Sequence, residues 1–156
     1  MKYSEGGIGR VIVARFDDGE EMVSGMRELM ERTGISSAVI FFLGALRSGE
    51  TVAGPIEDEL PPEPSWLAFG SPHEVVGVGT VFPSGGKPAL HLHGALGRGD
   101  RSFVGCLRKV AEVYLILEVI VLEILGSAAA RVSDPRAEML LLDPDGGSCA
   151  PGGKKE

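Results

Sequence analysis

The chain of 156 residues holds only two cysteines, Cys106 and Cys149. A disulfide framework needs more of them, and usually a shorter secreted chain, so the fold has to be held by its core. Runs of basic residues are missing too. The formal net charge is −7 and the isoelectric point about 5.0. Such a chain repels phosphate backbones overall, so nucleic-acid binding needs a local basic patch, and Lys154-Lys155 is too short to supply one. Met1 to Gly7 contains no apolar signal core, so secretion is not expected and a cytoplasmic location is. Walker phosphate loops, dinucleotide fingerprints in a strand–helix context, Gly-x-Ser-x-Gly elbows and internal repeats are all absent.

Apolar material, by contrast, is plentiful. Hydrophobic residues make up 44% of the chain, and a chain of this length buries roughly 70% of the surface that its unfolded form exposes. One domain over residues 1–142 is expected, because two would each have a thin core. From Asp143 onward Gly, Pro, Ser and charge dominate, which predicts a disordered tail over 143–156. The longest apolar stretch, Val113 to Ala130, contains Glu118 and Glu123. An ionised residue at mid-bilayer costs about 2.5 to 3.5 kcal/mol, and the stretch is rich in Val and Ile, so it reads as a core strand and no membrane span is expected.

The pattern along the chain is mostly that of strands. Gly9 to Phe16 is a β-branched run, followed by Asp17-Asp18-Gly19-Glu20-Glu21. Asp18 as N-cap with Glu21 three residues on predicts a helix start, and Met22, Met26, Leu29 and Met30 continue at helical spacing to a stop at Gly34. That methionine stripe reads as core, since Met packs irregular gaps; a partner surface is the alternative. A second strand is predicted over Ala38 to Leu43, leading into Gly44-Ala45-Leu46. Pro55 to Pro64 is an acidic, proline-rich loop. Further strands are predicted at Trp66–Phe69, Glu74–Phe82, Ala89–Leu96, Phe103–Lys109, Tyr114–Leu125 and Met139–Leu142. Many strands and one clear helix predict an α+β fold: an antiparallel sheet, partly closed like a barrel, with the helix packed on it.

The chemistry concentrates on one hairpin. His91 and His93 are two apart on a predicted strand, so both imidazoles point to one face while Leu92 points into the core. With Gly99-Asp100 as a two-residue loop, His93 falls opposite Cys106 and His91 opposite Arg108. Opposed residues share a face about 4.5 to 5.5 Å apart at Cβ, so two His and one Cys converge as a three-ligand zinc set with a fourth position open. A register shift of one residue would send Cys106 to the other face. The alternatives are a hydrogen-bonded histidine pair and an inert buried cysteine. His73, after Pro72, has no such partners and reads as a loop histidine. A cupin arrangement also uses His-x-His, but the Glu it needs three or four residues later is replaced by Leu96, Gly97 and Arg98.

Pro88-Ala89-Leu90-His91-Leu92-His93-Gly94-Ala95-Leu96-Gly97, followed by Gly105-Cys106-Leu107, resembles the plant and prokaryote conserved (PPC, or DUF296) family. Arg15 before Gly19-Glu20 and a helix, Gly34-Ile35, Gly44-Ala45-Leu46, Glu74 to Thr80 and Glu118 agree in order, over roughly residues 10–125. The resemblance implies an α+β fold, a homotrimer, and a zinc-type site from the His-x-His pair plus a third ligand after the glycine of the next strand. Many members have His there; this chain has Cys106, also a good zinc ligand. Plant members carry AT-hooks that bind DNA, and prokaryotic ones are often labelled DNA-binding by association, but no Gly-Arg-Pro hook core is present here. Three functional readings follow: a metal-binding trimeric domain, a DNA-associated regulator, and a metal-dependent enzyme on a small molecule. Glu118 is the candidate general base or partner to a metal ligand, and Arg15, Arg47 and Arg108 are candidates for contacting a small anionic ligand.

Overall fold

The structure, a computed structural model, describes residues 1–147; Cys149 and the part of the expected tail over 148–156 lie outside the described residues. In chain order the elements are β1 (Gly7–Asp17), α1 (Met22–Thr33), β2 (Ala38–Pro55), β3 (Pro64–Phe69), β4 (His73–Ser84), β5 (Lys87–Arg98), β6 (Arg101–Leu125), β7 (Ala130–Asp134) and β8 (Met139–Asp143). Six strands form one antiparallel sheet in the order β1-β6-β5-β4-β2-β3, and β2 also pairs with β6. That extra pairing closes β6, β5, β4 and β2 into a ring, so the sheet is partly barrel-like as expected. β7 and β8 make a separate hairpin.

Helix α1 packs on β6 and β5 with its methionines inward: Met22, Met26 and Met30 are buried beside Phe42, Leu92 and Leu117. The core reading of the stripe holds. Its N-cap is Glu21 rather than Asp18: the Glu21 carboxylate accepts from the backbone N–H of Val23 at 2.9 Å and of Ser24 at 2.7 Å. It also accepts from the Ala111 N–H on β6 at 3.0 Å. Asp18 instead accepts from the Leu115 N–H at 2.8 Å and pairs with Arg47. The stop at Gly34 is as expected, with φ 68° in the left-handed region that glycine tolerates.

The two predicted strands between Phe103 and Leu125 are one long strand, β6, with an irregularity where the sequence pattern breaks. Its register against β2 slips between Gly44 and Ala45, whose partners are Leu117 and Tyr114, and Leu115 there has φ 61°. β2 pairs along most of β6, while β1 pairs with one end of it and β5 with the other. Beyond the irregularity Leu117, Val119 and Val121 are buried while Ile116 and Ile120 are exposed. This alternation fits a sheet packed on one face, and among the described residues no helix is long and apolar enough to cross a membrane.

Directly paired residues share a face, so the register defines an outer row across five strands. Val13 on β1 pairs with Ile120, Ile120 with Phe41, Phe41 with Val78, and Val78 with His93. The four apolar members are all exposed. The row runs into His93 and, beyond it, Cys106.

Candidate metal centre

The β5–β6 hairpin has the expected register. Arg98 pairs with Arg101, Leu92 with Leu107 and His93 with Cys106, which puts Gly99-Asp100 in the loop, with Gly99 at φ 64°. The ladder to β6 ends at Leu92, so His91 pairs only on its other side, with Thr80 of β4. Leu92 points into the core and is 1% exposed. The glycine before Cys106 lets β2 approach: a Cβ on Gly105 would lie 2.7 Å from Thr51 Cβ. Val52 then pairs with Cys106 from the far side of the ring.

His91, His93 and Cys106 meet. Their donor atoms all lie within 4.8 Å of one another, and the two Nε2 atoms are 3.0 Å apart with the rings edge-on at 83°. At tetrahedral zinc, bonds of about 2.0 to 2.3 Å put neighbouring N and S donors about 3.3 to 3.6 Å apart, a spacing that small side-chain motions would give here. Loss of solvent, then the charges of Arg131, His93 and Arg108, push His91 down to about 4. Its imidazole is therefore neutral at physiological pH, with a lone pair to give a metal. Cys106 is buried and free, and its Sγ accepts from Arg108 Nε at 3.4 Å. Two borderline nitrogens and one soft sulfur suit zinc or a related transition metal better than calcium or magnesium. The residues fit such an ion.

Two cavities flank the triad. The larger, about 570 Å³, is lined by His91, Cys106, Arg108, Arg131 and Leu140 among others. The smaller, about 190 Å³, lies against His93, Cys106, Val52, Pro62 and Pro64. Met139 of β8 lines both. Any fourth coordination position would therefore open next to a solvent-accessible cleft.

The family's sequence profile, described as the Plants and Prokaryotes Conserved (PCC) domain, matches residues 3–125. The chain belongs to this family. A metal-containing protein of Archaeoglobus fulgidus is 31% identical over 90% of this chain and 98% of its own, with a TM-score of 0.80. Two further solved structures share the PCC fold. A plant- and prokaryote-conserved (PPC) protein of Pyrococcus horikoshii is 24% identical, covering 90% of this chain and 96% of that one, at TM-score 0.75. A candidate DNA-binding protein of Bacteroides thetaiotaomicron is 21% identical, covering 92% and 99%, at TM-score 0.74. No curated protein matches the chain.

The other residues singled out from the PCC sequence lie apart from the triad, except Arg108. Glu118 sits on the outer face of β6, opposite Arg15 of β1 and Leu43 of β2, with β2 and β4 between it and β5. Arg15 pairs with Asp17. Arg47 pairs with Asp18 and Glu112 and lies over the Tyr114 ring. His73 begins β4; its Nδ1 is 2.6 Å from the Ser71 carbonyl, and its ring packs edge-on against Phe69 and Phe103. Three residues at the site were not foreseen: Thr80, Met139 and Arg131. Thr80 was legible only as a strand residue. Arg131 and Met139 come from β7 and β8, short strands beyond the long apolar stretch, where a single Arg in Ala-Arg-Val-Ser-Asp carries no recognisable pattern.

Proposed function

We propose that the protein is a metal-binding domain that assembles as a homotrimer and holds zinc at His91, His93 and Cys106. The observation that carries this reading is the convergence of two imidazole nitrogens and a cysteine sulfur within 4.8 Å of one another, and the metal-containing relative at 31% identity supports it. Zinc held by these three residues would act as a Lewis acid at its remaining coordination position. The chain's own part is to hold the ligands in place. Leu92 anchors β5 in the core, the β5–β6 ladder sets His93 against Cys106, and Arg108 offsets charge on the sulfur.

The trimer reading rests on the outer row. Val13, Ile120, Phe41 and Val78 form an apolar band that ends at the triad, and soluble monomers rarely leave wide contiguous apolar patches exposed. A second and third copy covering that band would put each metal beside a subunit interface. DNA association, which the name of the Bacteroides fold neighbour suggests, is the weaker reading, because the net charge of −7 opposes autonomous binding to a polyanion.

Metal content by mass spectrometry on untagged protein tests the site. Stoichiometric zinc in the wild type, lost in His91→Ala, His93→Ala and Cys106→Ala, is the expected result. A wild type that stays metal-free after reconstitution would overturn the reading.

A further inference from the structure

Arg131 is buried without a counter-charge among the described residues. It projects from β7, is 8% exposed, and one of its Nη groups donates to Thr80 Oγ1 at 2.8 Å. Its Nε is buried with no hydrogen-bond partner, and no carboxylate of the described residues forms an ion pair with it. A buried guanidinium is ordinarily paired, because an uncompensated charge out of water is costly. Cys106 does not fill the gap: its sulfur already accepts from Arg108. Burial pulls the Arg131 guanidinium below its ordinary range, with the nearby cysteine opposing the shift. Arg131 lines the cavity of about 570 Å³ beside His91, and so do Arg27 and Arg108, neither of which forms an ion pair among the described residues. That volume lies within the range of small-molecule sites.

We infer that this cavity binds a small organic carboxylate with an apolar body, with Arg131 as the buried counter-charge. The Arg131 guanidinium, which lines the cavity, takes the ligand's carboxylate through a charge-assisted bond. Much of the remaining wall is apolar, Val23, Leu90, Met139, Leu140 and Leu142 among it, which takes an alkyl or aryl body and gives a strongly hydrated dianion little in return for its water. Of the expected anion contacts, Arg108 is at this cavity, whereas Arg15 and Arg47 are committed to acids elsewhere. The family profile ends at residue 125, before β7, so the counter-charge comes from the segment that follows the matched domain. The inference deepens the metal reading, sharing His91 and Cys106 as neighbours, and it draws the anion's charge partner from a residue that ligates nothing.

The experiment is calorimetric titration of the full chain with hexanoate, 1-hexanol and inorganic phosphate. It uses the wild type and Arg131→Gln, each as purified and after chelation, with metal content measured on the same samples. Wild type should bind hexanoate at least about tenfold more tightly than 1-hexanol, the scale of one charge-assisted hydrogen bond. That preference should persist after chelation and vanish in Arg131→Gln with metal content unchanged. Equal binding of hexanoate and 1-hexanol by the chelated wild type, a preference that survives Arg131→Gln, or tighter binding of phosphate than of hexanoate would each overturn the inference. If Arg131→Gln fails to fold, the contrast in the chelated wild type decides. A wild type that stays metal-free even after reconstitution yet keeps the Arg131-dependent preference would sink the metal reading and leave this one standing; a metal-loaded wild type without the preference would do the reverse.

Discussion

Glu123 shows how a single side chain can tie the edge of this sheet. Arg10 on β1 reaches it with Nε and Nη2 at 2.7 Å each, and the Arg10 backbone N–H adds a third bond at 3.0 Å. The side-chain bond from Arg10, then the backbone bond, hold the Glu123 carboxyl down at about 2 against an ordinary 4.5. A carboxyl depressed in the folded state stabilises above its unfolded pKa, and the contribution is lost as pH falls through the folded one. Wild-type stability should therefore drop as pH falls from 4.5 towards 2, and Glu123→Gln should show a shallower drop over that window in urea melts at stepped pH. An unchanged slope would mean that the pair does not form in solution. The three residues proposed as ligands were legible at this scale because strand alternation and one turn signal suffice to bring His91, His93 and Cys106 together. Arg131 was not, because its meaning depends on burial and on a missing acid, neither of which a sequence displays.

Among the elements, the β5–β6 hairpin was readable and the path of β6 was not. Gly99-Asp100 pins the register locally, whereas the continuity of β6 through Val110 to Leu115 depends on β2, a strand distant in sequence that pairs with Ala111 to Tyr114. The Asp18 cap was misjudged for a related reason. Asp18 has the better local chemistry for a cap, but Arg47 and the Leu115 N–H, both distant in sequence, claim it. Glu21 is the joint between helix and sheet. Replacing it with Ala removes an N-cap worth about 1 kcal/mol and strands the buried Ala111 N–H, at a further cost of about 1 to 3 kcal/mol. Chemical denaturation of Glu21→Ala should show a loss of roughly 2 to 4 kcal/mol, and Glu21→Gln, which keeps an acceptor, a smaller one. Equal losses in the two variants would show that the acceptor geometry is irrelevant.

For the whole molecule, the partly closed sheet was predictable from strand count and hairpin signals, but its outward apolar row became visible only once the five strands were in register. Phe41 lies in the middle of that row, between Ile120 and Val78. Phe41→Asp would place a charge inside the proposed trimer interface, so sedimentation velocity should show the wild type as a trimer and the variant as a monomer. Far-ultraviolet circular dichroism should be unchanged, since Phe41 points away from the core. A wild-type monomer would contradict the trimer.

Cobalt substitution tests the metal centre most directly, because cobalt(II) reports its own ligands. Wild type loaded with cobalt should show the strong visible absorption of a tetrahedral site together with a near-ultraviolet thiolate-to-cobalt band. Cys106→Ser should lose the thiolate band, Cys149→Ser should keep it, and His91→Ala and His93→Ala should lose tight binding. A weak octahedral spectrum in the wild type, or a thiolate band that survives Cys106→Ser, would contradict a centre built from His91, His93 and Cys106.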